Sequence, residues 1–144
     1  MCLTVKKGTH RMVAETNLKV YKCLDYSPFF KYQTPFQFMR INFNEKGQYR
    51  FEMDSNLIAV RPRTLGGYEV GRGIHAYHVK LAADETSSKF HEDSGTATHY
   101  AVIPKGSHYY IGEKRDIVSN QMIIFKSKKD FDKYAEENEV KPVK

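Results

Sequence analysis

The hydrophobic period of the chain changes once along its length, and this change constrains the fold more than any other feature. Before residue 78 the apolar residues recur in short, largely alternating runs such as LKVYKCL (18–24), which is the period of a half-buried strand. Between His78 and Phe90 they recur on one helical face, at positions 79, 82, 83, 86 and 90. Strand-like runs then return. The pattern predicts an α+β chain with one central helix.

The segments after the central helix divide into three strands and a second helix. HYAVIP (99–104) and HYYIG (108–112) predict two strands joined by a turn at PKGS, and DIVSNQMIIF (116–125) is so continuously apolar that it predicts one central strand. SKKDFDKYAEEN opens with Ser127 and has Asp130 three residues later, which is close to a capping box. We therefore expect a short C-terminal helix.

The segments before the central helix contain two further strand signals and one irregular stretch. FMRINFNEKGQYRFEM (38–53) predicts a hairpin that turns at residues 45–47, and NLIAVRP (56–62) predicts a strand that ends at a proline. SPFFKYQTPFQF (27–38) has two prolines and four phenylalanines without a regular period. It predicts a packed loop.

Length and composition favour one cytoplasmic domain over residues 1–144. No apolar run approaches the roughly 18 residues of a membrane span, and the start MCLTVKKGTH has no signal-peptide core. The only cysteines are Cys2 and Cys23, which cannot form a disulfide framework and are expected to be thiols in a reducing compartment.

The positive charge of the chain is concentrated in its first third. Residues 1–50 carry nine Lys or Arg residues against three acids, whereas residues 51–125 carry eight against nine. A basic patch of this kind attracts phosphate, in nucleic acid or in a free nucleotide. A simple solvated basic face explains the same pattern, and that alternative stays open.

The stretch VGRGIHAYHVKLAA (70–83) raises the question of a metal or phosphate site. His75 and His78 are three residues apart, but neither has a Cys or an acidic residue at ligand spacing, so we expect no metal. Gly71 and Gly73 lack the third glycine of a dinucleotide fingerprint. Arg72 lies between them and, with Arg61 and Arg63, is a candidate phosphate ligand.

Four separated segments, in order, resemble the ADP-ribosyltransferase superfamily. VYKCL (20–24) resembles the first core strand, V-Y-R-G-L, and the segment around GIHAYHVKLAA resembles G-x-G-I-Y-F-A, a short strand followed directly by a helix. AVIPKGSHYYIG (101–112) resembles the strand-turn-strand V-x-I-P-K-G-x-x-x-x-Y-I-G, and VSNQMIIF (118–125) resembles the strand that carries the catalytic glutamate. The resemblance implies a mostly antiparallel β core with a central helix, and segment 25–66 has no counterpart in it.

The resemblance also implies which residues would face a nucleotide. Lys22 stands where the family has a basic residue or histidine facing the NAD, His75 stands where it has the NAD-stacking tyrosine, and Gln121 replaces the catalytic glutamate. A glutamine cannot supply the negative charge that stabilises an oxocarbenium-like transition state, a contribution of several kcal/mol. The implied protein has no catalytic residue, and its candidate ligand-binding residues are Tyr21, Lys22, Arg72, His75, Tyr77 and Gln121.

Three functions follow from these residues. The first is a non-catalytic binder of a nucleotide-type small molecule, NAD-derived or cyclic, without a cofactor of its own. The chain also resembles small bacterial and phage proteins, for which sequestering a host signalling nucleotide is a natural anti-defence role. The second is an active ADP-ribosyltransferase or NAD glycohydrolase that uses Glu113 or Asp116. The third is a basic nucleic-acid- or protein-binding module, although no recognition motif for nucleic acid is present. Homo-oligomer formation stays open.

Overall fold

A computed structural model describes residues 3–5, 10–29, 31–34, 39–53, 60–62, 68–70, 73–91 and 96–143. Two helices, α1 (Lys80–His91) and α2 (Lys128–Glu137), occur in these ranges. The strands are β1 (Leu3–Val5), β2 (Met12–Val13), β3 (Asn17–Ser27), β4 (Lys31–Gln33), β5 (Arg40–Ile41), β6 (Gln48–Glu52), β7 (Val60–Pro62), β8 (Tyr68–Val70), β9 (Ile74–Tyr77), β10 (Ala97–Ile103), β11 (His108–Ile111), β12 (Asp116–Ser119), β13 (Gln121–Phe125) and β14 (Val140–Pro142).

The strands form one large sheet and one small sheet. The large sheet has the order β2-β11-β12-β9-β3-β10-β13-β6, in which every neighbouring pair is antiparallel. β4 and β14 also pair with β3, and β5 pairs with β4. β14 runs parallel to β3, and the small sheet has the order β1-β8-β7. The protein is therefore α+β, with mostly antiparallel sheet, as the sequence predicts. Neither of the two helices described is long and apolar enough to cross a membrane.

The large sheet has two different faces, because successive side chains of a strand point in opposite directions. On one face, which we call the core face, buried apolar side chains such as Val20, Leu24, Ala101 and Ile124 form the main cluster. On the other, the helix face, Val102, Ile123 and Phe125 pack against Phe131 of α2. α1 covers the same face.

Five of the predicted elements are confirmed. β3 contains the predicted strand 18–24, α1 begins two residues after the predicted start, and β10 and β11 flank the predicted turn. α2 begins where the capping pattern indicates, because Ser127 Oγ accepts a hydrogen bond from the Asp130 amide. The short elements β2 and β14 carry no recognisable pattern in the sequence.

The predicted hairpin over residues 38–53 is wrong in its pairing. The turn exists, since the Gly47 amide donates to the Asn44 carbonyl. However, β5 pairs with β4, and β6 pairs with β13. Part of the predicted loop at 27–38 is also a strand, because Lys31–Gln33 pairs with the end of β3. Most of the predicted strand 56–62 lies outside the described residues.

The single strand predicted over 116–125 is divided at Asn120. The Asn120 side chain accepts a hydrogen bond from the His108 amide at 2.8 Å, while its carbonyl accepts one from the Met53 amide. These bonds hold the chain at a crossover between two distant parts of the sheet. β12 pairs with β9 and β11, whereas β13 pairs with β10 and β6.

Candidate functional site

Three tyrosines form a row across the helix face of the large sheet. Tyr77 of β9 is in register with Tyr21 of β3, and Tyr21 is in register with Tyr100 of β10. The rings of Tyr21 and Tyr100 are 5.4 Å apart and tilted by 58°. All three side chains are half-buried. We call this set the tyrosine row; it brings together two of the sequence-predicted residues, Tyr21 and Tyr77.

Lysine side chains surround the Tyr100 end of the tyrosine row. Lys19 Nζ lies 5.4 to 5.8 Å from the ring centroids of Tyr21, Tyr100 and Phe131, within the range of cation–π attraction. Lys80 and Lys128 begin α1 and α2; a hydrogen-bonded aspartate raises the pKa of each lysine, and the nearby Tyr100 hydroxyl, when it is ionised, raises it by a smaller amount. In each case the aspartate lies one turn further along the same helix.

Lys22 lies on the core face, opposite the tyrosine row. Its Nζ donates a 2.6 Å hydrogen bond to the backbone carbonyl of His75. Burial lowers the pKa of Lys22 to about 8, because the charged amine loses its hydration. Burial, and then the nearby charge of Lys22, lower the pKa of His75 to about 4. The structure thus brings Lys22 to the backbone of His75, but the Lys22 side chain lies on the opposite face of the sheet from Tyr21. Strand alternation places the His75 side chain on the same face as Tyr77.

Gln121 lies on a strand that does not pair with the strands of the other predicted residues. It begins β13, which pairs with β10 and β6, whereas Tyr21 and Lys22 lie on β3 and His75 and Tyr77 lie on β9. The Gln121 side chain instead lies 3.4 Å from Arg50 of β6. Arg72 lies outside the described residues.

Of the two acidic residues that the active-enzyme alternative could use, one lies beside the tyrosine row. Asp116 begins β12 and is in register with Tyr77, and strand alternation places both side chains on the helix face. Burial raises the pKa of the Tyr77 hydroxyl, and the negative charge of Asp116 raises it further. Glu113 is exposed in the turn that precedes β12.

A pocket of about 400 Å³ opens where β13 ends. β13 pairs with β10 only through Ala101 and Val102, so the first four residues of β10, Ala97–Tyr100, form a wall of the pocket. The β3–β4 hairpin and the start of α2 form the other walls. We call this site the edge pocket; the aromatic and cationic side chains that line it are Tyr26, Tyr32, Tyr100, Phe125, Lys126 and Lys128.

The edge pocket has a basic, aromatic lining. None of the described residues that line it is acidic, although Asp132 pairs with Lys128 from outside the pocket. His99 contributes a neutral ring: its Nδ1 lies 2.9 Å from the Phe125 carbonyl oxygen, and burial lowers its pKa. In this neutral ring Nδ1 therefore carries the hydrogen atom, and it donates a hydrogen bond to the Phe125 carbonyl oxygen.

Sequence reasoning missed most of the edge pocket. Lys126 and Lys128 belong to a helix start with an ordinary polar pattern. Tyr32 belongs to a segment predicted to be a loop, and Tyr26 directly precedes that segment. Tyr100 offered the one usable signal, because it alternates with the apolar residues of HYAVIP and so had to face the side opposite Ala101.

Neither a metal-binding cluster nor a similar known protein indicates what the edge pocket binds. Among the described residues, no group of three or more His, Cys, Asp or Glu side chains is placed to hold a metal ion. No family model, curated protein or solved structure matches this chain. The class of protein that can be stated is an α+β protein with an antiparallel sheet and a basic, aromatic pocket at the end of one strand. That pocket is the basis of the proposed function.

Proposed function

We propose that the protein binds a nucleotide-type small molecule, NAD-derived or cyclic, in the edge pocket and does not turn it over. One observation carries the proposal: three tyrosines and two lysines line a pocket that has no acid among its described lining residues. Tyrosine rings offer flat surfaces for a base, and lysines pair with phosphate as point charges. The volume suits a small ligand.

The tyrosine row extends this site along the helix face. Tyr100 belongs both to the row and to the edge pocket, and Lys19, Lys80 and Lys128 lie around it. A phosphate placed near Tyr100 would meet Lys19 directly, whereas the other two lysines would have to share their charge with the aspartates that pair with them. The net positive charge that remains favours an anionic ligand over a neutral one.

We further propose that the fold is of the ADP-ribosyltransferase type, in a degenerate form. β3, then β9 followed after two residues by α1, then β10, a turn and β11 occur in the order that the resemblance requires. The division at Asn120 is a departure from it. A cytoplasmic location, where such nucleotides are found, completes the proposal.

The active-enzyme alternative is favoured by one observation, the position of Asp116 beside Tyr77. A carboxylate there could stabilise positive charge on a ribose bound along the tyrosine row. Nicotinamide release from NAD tests this alternative, with Asp116→Asn as the variant that should abolish any release. We expect no release from the wild-type protein, because the proposed ligand lies at the Tyr100 end of the row.

Titration calorimetry against NAD, ADP-ribose and cyclic di- and oligonucleotides tests the proposed function. We expect at least one nucleotide to bind. The double variant Lys126→Ala/Lys128→Ala should then weaken binding by about 10- to 100-fold, which corresponds to about 0.7–1.4 kcal/mol for each lysine. This is less than the roughly 1.5–3 kcal/mol of a charged hydrogen bond, because both lysines are exposed and water screens them. Lys105→Ala/Lys114→Ala removes the same charge from exposed turns outside the pocket and should leave the affinity within about threefold.

Two results would count against the proposal. If no member of the panel binds the wild-type protein, the edge pocket is not a nucleotide site. If the two double variants weaken binding equally, the ligand responds only to the net charge of the protein, and the basic nucleic-acid-binding alternative becomes the better explanation.

A further inference from the structure

The β3–β4 hairpin exposes an apolar patch beside the edge pocket. Phe29, in the turn between the two strands, is 92% exposed, and Tyr26 on the pocket wall is 43% exposed. They are two of the six large apolar side chains that are exposed in the described part of the chain, and both belong to this hairpin. Scattered exposed apolar residues need no explanation, but two on a hairpin that forms a pocket wall indicate a candidate binding surface.

Described contacts lie on both sides of the turn that carries Phe29. The Phe29 amide donates a 3.2 Å hydrogen bond to Ser27 Oγ. Lys31, directly after the turn, has a φ of 62°, a left-handed conformation that costs a lysine free energy and persists only where the surroundings impose it. Pairing of Tyr26 with Tyr32, whose ring centroids are 5.1 Å apart, closes the hairpin at its base. These contacts hold the two strands of the hairpin together at its base, on either side of the turn.

We infer that Phe29 is a ligand-contacting residue, whose ring covers the base of a nucleotide bound in the edge pocket. This inference rests on the proposed function and adds to it the residue that closes the site. Tyr26 and Tyr32 already line the pocket and lie at the base of the same hairpin, so a ligand that stacks on them extends toward the turn. Lys31 adds a cation to the same hairpin. Covering the Phe29 ring with a ligand would be favourable, because in the absence of a ligand nearly all of its apolar surface is in contact with water.

A tryptophan reporter tests the inference, because the chain has no tryptophan of its own. Phe29→Trp places a single indole at the turn, and Leu81→Trp is the matched control, since Leu81 is 58% exposed on α1 and does not line the edge pocket. Both variants are titrated with ADP-ribose, NAD and a cyclic dinucleotide. We expect a blue-shifted emission and several-fold weaker acrylamide quenching for Phe29→Trp on binding, and no change for Leu81→Trp.

Affinity gives a second, independent readout. Stacking of a base on an aromatic side chain contributes enough that Phe29→Ala should raise the dissociation constant about 5- to 100-fold. Leu81→Ala should not change it. Because Phe29 is exposed, its removal should leave the thermal unfolding midpoint unaltered, which separates a lost contact from a lost fold.

The outcomes distinguish the inference from the function on which it rests. If calorimetry detects binding by the wild-type protein while the emission of Phe29→Trp and the affinity of Phe29→Ala are unchanged, Phe29 does not touch the ligand and the proposed function stands. If none of the three probes binds the wild-type protein, both the inference and the proposed function are wrong.

Discussion

Lys22 and Tyr21 are adjacent in sequence and lie on opposite faces of the sheet. The sequence predicts that both face one ligand, but strand alternation separates any two neighbouring residues. Lys22 makes one hydrogen bond, to a backbone carbonyl, and no salt bridge in the described part of the chain involves it. Its charge is therefore costly to the folded state.

The titration of Lys22 yields a prediction for stability. Its folded-state pKa of about 8 lies below the ordinary value of 10.5. Between these two pH values the unfolded chain binds more protons than the folded chain. Lys22 therefore makes the free energy of unfolding rise with pH across this range, by about 3 kcal/mol in total. Lys22→Met should be at least as stable as the wild-type protein at pH 7, and its advantage should disappear by pH 10.5.

Urea unfolding of both proteins at several pH values between 7 and 10.5 measures this difference. Comparing the two proteins cancels the titration of the tyrosines, which occurs in both. A difference in stability that does not change with pH would show that the Lys22 amine is well hydrated or is paired in the native state.

Among the elements, those with a strong local pattern could be predicted and those defined by distant pairing could not. The helical period identifies α1, and Ser127 identifies the start of α2. In contrast, β6 pairs with β13, about 70 residues away, and no local pattern distinguishes this pairing from the predicted hairpin. Asn120 interrupts an apolar run because its side chain bonds to His108, a contact that only the folded chain contains.

One contact between elements, where the turn before β6 meets α2, allows a sharp test. Gly47 has a φ of 67°, and a Cβ there would overlap the Asp130 carboxylate. We expect Gly47→Ala to destabilise the wild-type protein by about 2–3 kcal/mol, through backbone strain and this overlap.

A double-mutant cycle separates the two causes. In an Asp130→Ala background, Gly47→Ala should cost only about 1 kcal/mol, the part due to the left-handed backbone. Free energies of unfolding in urea give all four values. Equal costs in both backgrounds would show that α2 and this turn do not meet as described.

For the whole molecule, the site is assembled from residues that are far apart in sequence. The edge pocket takes Tyr26 and Tyr32 from the first quarter, Tyr100 from the middle strands and its lysines from the start of α2. The basic first third of the chain contributes Lys19 near Tyr100, but neither of the two lysines that line the pocket. The sequence could therefore predict the α+β class, whereas the place of the edge pocket depends on the order of strands in the sheet.

The proposed function requires that a nucleotide bind in the edge pocket. Amide chemical shifts of the uniformly ¹⁵N-labelled protein, recorded during titration with ADP-ribose, NAD and a cyclic dinucleotide, test it most directly. We predict saturable shifts that are largest at Tyr100, Lys126, Ser127 and Lys128. The absence of shifts with every probe, or shifts that cluster at Lys22 and His75 and spare the edge pocket, would contradict it.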